Sequence, residues 1–295
     1  MSVVIECVLA AGARVGEAPF WSAHDQMLWW VDIVPGSLHR FDPATGRDET
    51  WPMPSRIGFA CPRRNGGVIV GLEEGLAFFD PETATLEPFS EVNPSRDGLR
   101  FNDATVSPEG RLVATTMQTM PPGGQPNGAV LVIDPDGTAR TVFEGLWVGN
   151  GLAFSPDGRT LYVADTHEEA NRVWACDWDG DEGVVTGRRP FFDGETIAGR
   201  PDGAAVDSEG GYWVACPYGW QVIRIDTAGR IDRQIAMPIE KPTKPCFGGS
   251  DQRTLFVTSI GGTPSPGTEH LQPLAGGLFT VDVGATGRPV PLFEG

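Results

Sequence analysis

One sentence of residues recurs six times in this chain, and that repeat constrains the fold more than any other feature. It is clearest at Gly151–Asp165, where a short apolar run meets the turn Ser155-Pro-Asp-Gly158 and an alternating strand follows, the pattern of a β-hairpin. The same phrase stands at Ala104–Thr116 and Ala204–Ala215, and more loosely at Phe20–Asp32, Ala60–Leu72 and Cys246–Ser259. Aligned on the turn, the anchors are Ser22, Arg63, Ser107, Ser155, Asp207 and Gly249, spaced by 41, 44, 48, 52 and 42 residues. A second phrase follows each first one, an apolar strand ending in Asp and a turn: Leu38–Gly46, Leu76–Ala84, Val130–Gly137, Val173–Gly180, Val222–Gly229 and Leu278–Gly287. Six units of about 45 residues with four strands each predict an all-β chain, a six-bladed β-propeller of four-stranded antiparallel blades around a central channel. A pair of sandwiches would not require six registered copies. One propeller domain over residues 1–295 is expected.

Composition agrees. The 39 Gly and 26 Pro are numerous enough for a turn-dense chain, while 9 Trp and 15 Phe supply a core. The net charge of −17 repels phosphate backbones and anionic lipid, so neither nucleic acid nor membrane is an expected partner. Five widely spaced cysteines, Cys7, Cys61, Cys176, Cys216 and Cys246, contain no C-x-x-C pair and fit buried thiols in a reducing compartment. The run Val3–Leu9 is broken by Glu6 and has no basic lead, so it reads as a strand, and a cytoplasmic location is expected. Oligomeric state leaves no trace in the sequence.

In a propeller blade the first strand lines the channel. The position five residues before each anchor therefore forms a ring of six: Glu17, Gly58, Asn102, Asn150, Asp202 and Lys244. Packing alone would fill equivalent positions with similar residues. Instead two carboxylates and two amides converge on one axis, an arrangement that is costly unless a cation or a hydrogen-bond network satisfies it. Such hard oxygen donors suit one divalent ion, Ca²⁺ first, with Mg²⁺ or Mn²⁺ and, at a catalytic site, Zn²⁺ or Fe²⁺ as further candidates. A water-filled polar channel without metal is the alternative. Arg100 offers a planar fork to hydroxyls or an oxyanion, or is a surface charge. Lys244 either offsets the carboxylates in an ion pair or meets substrate. The ends of second strands add Asp32, Glu73, Met117 with Gln118, His167 and Tyr218. No G-x-S-x-G, H-E-x-x-H, Walker or dinucleotide-binding motif is present, and the four His are not paired at ligand spacing, which removes the usual sequence support for acyl-enzyme, zincin and nucleotide-cofactor chemistry.

Gly16-Glu17-Ala-Pro-Phe-Trp21, Trp30-Val-Asp32, Arg100-Phe-Asn-Asp103, Gly149-Asn-Gly-Leu152, Arg200-Pro-Asp-Gly203 and Lys244-Pro-Cys-Phe-Gly-Gly249 resemble, in order and spacing, the senescence-marker-protein/gluconolactonase family over residues 12–283. The resemblance implies a six-bladed propeller and metal-dependent hydrolysis of a sugar lactone. The substrate would be an aldono-1,4- or 1,5-lactone such as a glucono-, xylono- or arabinonolactone, opened to the aldonic acid in a sugar oxidation pathway. By position it implies metal ligands Glu17, Asn150 and Asp202, with Asp202 also the catalytic proton acceptor, and substrate contacts Arg100 and Asn102. Where the family often carries an acid after the strand ending at Met117, this chain has Gln118-Thr-Met-Pro-Pro-Gly-Gly, which leaves Gln118 as the substrate-binding candidate there. The Lys244–Gly249 segment looks like bacterial aldonolactonases, pentonolactone enzymes among them. The competing readings are an organophosphate or non-sugar lactone hydrolase, and a non-catalytic propeller with a structural cation.

Overall fold

The computed structural model describes residues 3–119 and 125–295. Six four-stranded antiparallel sheets form a ring, and no α-helix occurs among the described residues. The chain is a six-bladed β-propeller. Its inner strands are Gly16–Ser22, Ile57–Pro62, Leu99–Val106, Gly149–Phe154, Ala204–Val206 and Pro242–Gly248, one for each of blades 1 to 6.

The repeated phrase folds the same way wherever it is written most clearly. In blade 4, Gly158 N–H donates to Ser155 O at 2.9 Å with Gly158 at φ 71°, and Ser155 N–H donates to Thr160 O. Ser107-Pro-Glu-Gly110 in blade 3 and Asp207-Ser-Glu-Gly210 in blade 5 repeat the first bond, with Gly110 at φ 82° and Gly210 at φ 88°, and close one residue earlier, on Arg111 O and Gly211 O. Each turn needs a left-handed residue at its fourth position, and glycine takes that conformation without a Cβ penalty.

Blade 6 departs from the expected four strands per repeat. The last repeat supplies only three, and Ile5–Leu9 from the N-terminus pairs antiparallel with Leu278–Asp282 to complete the sheet. Closing the ring with both ends of the chain covers an edge that would otherwise present unpaired N–H and C=O groups. The tail then crosses beneath the channel: Gly287 N–H donates to Gln252 O, Arg64 N–H to Phe293 O, and Glu294 N–H to Gly110 O.

An aromatic pair joins every neighbouring pair of blades: Trp21–Phe256, Trp51–Phe79, Phe59–Phe101, Phe143–Trp174, Tyr162–Tyr212 and Trp213–Phe247, with centroids 5.1 to 6.5 Å apart. Trp21–Phe256 is stacked and the other five pairs are tilted or edge-on, which explains where much of the Trp and Phe content is used. Cys61, Cys176, Cys216 and Cys246 are buried thiols, Cys7 is partly exposed, and none is bonded to another. No helix among the described residues is long and apolar enough to cross a membrane.

Candidate active site

A β-bulge lies at or beside the channel position in five of the six blades. The pairing of first and second strands slips between Glu17 and Phe20, Ile57 and Phe59, Phe101 and Ala104, Asn150 and Ala153, and Pro242 and Pro245. A bulge sets an extra residue against the partner strand and re-aims the side chains there; in blade 5 the pairing begins only at Ala204, after Asp202. Ala18, directly after Glu17, sits at φ 46°, and Gly151, directly after Asn150, at φ 62°. A Cβ on Gly151 would meet Tyr212 Oη at 2.3 Å, so glycine is required there. At Gly58 a Cβ would meet Phe101 O at 2.6 Å; the blade 2 position is bare because a neighbouring backbone fills it.

Around the ring, hydrogen bonds run from blade to blade. Arg100 Nη1 donates to Asn102 Oδ1 at 2.9 Å, and Asn102 Nδ2 donates to Asn150 Oδ1 at 2.9 Å. Asn150 Nδ2 donates to Thr166 Oγ1 at 2.8 Å, and that hydroxyl donates to Pro201 O at 2.9 Å beside Asp202. Thr166 thereby turns the Asn150 amide so that its oxygen, which has a second lone pair, points to the channel. Glu17 Oε2 accepts from Ala18 N–H at 2.7 Å. Among the described residues, Glu17 Oε1 and Asp202 Oδ2 accept no hydrogen bond.

The two carboxylates oppose each other electrostatically. Burial, then the charge of Asp103, pushes the Glu17 carboxyl up to about 7. Burial, then the charges of Glu17 and Asp103, holds the Asp202 carboxyl well above the usual carboxylate range. Burial, then the neighbouring Arg56, lowers the Arg100 guanidinium to about 10. A half-buried and a buried carboxylate, near enough that the charge of Glu17 is felt at Asp202 and each with an unused oxygen, suit a hard cation. Glu17, Asn150 and Asp202 therefore fit a divalent ion. Among the described residues no group of three His, Cys, Asp or Glu side chains could hold one, so the fit depends on the Asn150 amide oxygen as the third donor.

Lys244 resolves to the ion-pair alternative. Its Nζ donates to Asp103 Oδ1 at 2.5 Å and to Ala104 O at 3.0 Å, across the ring from blade 6 to blade 3. Burial alone would lower the ammonium, but the Asp103 carboxylate reverses this and the net direction is up. Asp103 also accepts from Leu152 N–H at 2.9 Å and is almost fully buried. Sequence reasoning gave no role to Asp103 or Thr166. A buried lysine in the ring is the signal that could have found Asp103, because such a charge needs a partner.

The residues at second-strand ends divide. Asp32 accepts Arg14 N–H and Val15 N–H, both at 2.9 Å, and Asp165 does the same for Trp147 and Val148 in blade 4. Asp32 is a backbone clamp and not part of the wall. His167 stacks on Trp147 at 4.5 Å, and Tyr218 is exposed near Lys241 and Arg200. Glu73 lies beside Arg56, with Nη1 to Oε1 at 3.7 Å. Gln118, paired in register with Leu99 next to Arg100, donates to Gln125 O at 3.3 Å. Met120–Gly124 of the stretch beyond it lie outside the described residues. A cavity of about 290 Å³ occupies the opposite end of the channel, between the inner strands and the tail, with Lys244 in its wall.

Residues 15–261 match the model of a family described as the SMP-30/Gluconolactonase/LRE-like region. The chain is 37% identical over 295 residues to a 6-deoxy-6-sulfogluconolactonase of Pseudomonas putida, covering 100% of each protein. It is 34% identical over 286 residues to a pentonolactonase of Haloferax volcanii, covering 96% of this chain and 95% of that one. Among solved structures, a calcium-binding regucalcin of Agrobacterium tumefaciens superposes with a TM-score of 0.90 at 27% identity, over 97% of this chain and 96% of that one.

Proposed function

The chain belongs to the SMP-30/gluconolactonase/LRE-like family, and on that premise we propose that it hydrolyses a sugar lactone to the aldonic acid with the help of one divalent metal ion. The observation that carries this reading is the convergence of Glu17, Asn150 and Asp202 on one channel axis, two of them carboxylates that repel each other there. The named lactonase relatives support lactone hydrolysis as the reaction class, and the calcium-binding regucalcin supports a bound divalent ion.

When bound, the ion supplies Lewis acidity toward a carbonyl oxygen and lowers the pKa of a water molecule. The rest belongs to the protein. Asp202, buried in the ring, takes the proton of the attacking water and returns it to the ring oxygen as the carbon–oxygen bond breaks. Arg100 and Asn102, locked to each other by hydrogen bonding, orient sugar hydroxyls and face the developing oxyanion. Gln118 extends that wall as a neutral amide.

The reading is tested with a panel of penton- and hexonolactones, a non-sugar lactone and a phosphotriester, followed by proton release in metal-replete protein. Aldonolactones are expected to exceed the other two classes in kcat/KM. A preference for the phosphotriester or the non-sugar lactone would reassign the substrate. No turnover of any of them by folded, metal-loaded protein would leave the propeller as a binding platform.

A further inference from the structure

The positions two residues before the ring carry a second pattern. They read Val15, Arg56, Arg100, Val148, Arg200 and Pro242 in blades 1 to 6. The backbone confirms their equivalence: Val15 O accepts Ile33 N–H, Arg56 O accepts Glu73 N–H, and Val148 O accepts Thr166 N–H, each from the residue after the second strand. Blades 2 and 3 are neighbours, so two arginines stand side by side at the mouth. They are close enough that Arg56 is, after burial, the next cause lowering the Arg100 guanidinium.

We infer that Arg56 and Arg100 form a seat for an anionic substituent of the substrate, a sulfonate, carboxylate or phosphate at the end remote from the lactone carbonyl. This rests on the lactonase reading for where the carbonyl sits. The proposed metal ligands come from blades 1, 4 and 5, so a lactone whose carbonyl lies there projects its far end toward blades 2 and 3. The blade 2 ring position is Gly58, which sends no side chain into that sector.

The balance of charge favours an anion. Arg100 uses Nη1 on Phe101 O and Asn102 Oδ1, and its Nε and Nη2 have no partner among the described residues. Among the described residues the ionic neighbour of Arg56 is Glu73, at 3.7 Å, which is beyond hydrogen-bond length. The Arg56 side chain keeps 38% of its surface exposed, so it is reachable from solvent. Glu17 and Glu73 both act on Arg100; with the Glu17 charge committed to the proposed ion, Glu73 is left as the loosely held carboxylate facing two guanidiniums. Guanidinium donors in a planar fork match the oxygens of such anions.

The experiment compares an aldono-1,5-lactone bearing a sulfonate or phosphate on C6 with the unsubstituted lactone, in the wild type, Arg56→Gln and Glu73→Gln. The corresponding open-chain aldonates are titrated calorimetrically against the same proteins. Losing one charge-assisted contact is expected to cut the ratio of anionic to neutral kcat/KM about tenfold in Arg56→Gln, and the ratio of aldonate affinities alike. Glu73→Gln is expected to raise both ratios, which a merely structural role for Arg56 would not do. Ratios unchanged in both variants overturn the anion seat. If no lactone is turned over but the aldonate ratios shift as stated, the lactonase reading fails and the seat stands; turnover with unshifted ratios is the reverse. A preference for sulfonate over phosphate, or the opposite, identifies the anion.

Discussion

Asp202→Asn is expected to lower kcat/KM on an aldonolactone by about 10²–10⁴-fold, the range typical of a lost general base. The substitution keeps the size of the side chain and the backbone bond from Asp202 N–H to Ala215 O, so the blade should fold unchanged. It removes one of the two negative charges proposed to hold the ion and the group proposed to accept the water proton. The raised pKa of Asp202 is itself caused by burial and by Glu17 and Asp103, so the carboxylate is strained in the ion's absence and relieved by a cation. Two readouts separate the roles. Bound metal per chain should fall, and activity should not return at saturating metal, because an amide accepts no proton at neutral pH. Normal turnover in this variant would remove Asp202 from the site.

The second large effect is on stability. Lys244→Met is expected to cost about 3–5 kcal/mol in urea denaturation, the cost of leaving a buried charge without its partner. The partner is Asp103, almost fully buried, which would keep only Leu152 N–H and Ala104 N–H as donors. Asp103→Asn alone should cost a similar amount through the stranded ammonium. The double variant should recover most of the loss, since removing both charges removes the desolvation that each imposes. Additive losses would show that the two do not act as a pair. The pair also sets the charge of the ring. With Asp103 and Lys244 cancelling, Glu17 and Asp202 remain as the negative charges that face the proposed ion.

How much of this was legible in the sequence depended on whether one residue or two elements carried the information. The hairpin turns were legible because Gly110, Gly158 and Gly210 each mark a left-handed position at a fixed place in the phrase. The ring positions were legible because the repeat keeps a fixed distance from the turn to the start of the inner strand. Closure of blade 6 by Ile5–Leu9 was not, because nothing in five alternating residues says which edge they will join. Asp103 was hidden by the bulge itself. Strict alternation would turn it away from the neighbour of Asn102, yet the slip between Phe101 and Ala104 brings it to Lys244. Asp32 misled in the opposite direction: a carboxylate at a strand end reads as a wall residue until its two backbone donors are seen. Asn102 and Asn150 are linked from Arg100 to Thr166 by hydrogen bonds that no spacing argument contains, and Glu17 and Asp202 stand beside that chain.

The central claim is that the ring holds one divalent ion on which hydrolysis depends. It is tested most directly by titrating metal-stripped protein with Ca²⁺, Mn²⁺, Mg²⁺ and Zn²⁺ while following bound ion per chain and proton release from an aldonolactone together. The account predicts that activity, absent in stripped protein, rises in step with binding and saturates at one ion per chain, and that Glu17→Gln weakens both. Full activity in stripped protein, or binding that saturates without any change in rate, would contradict it.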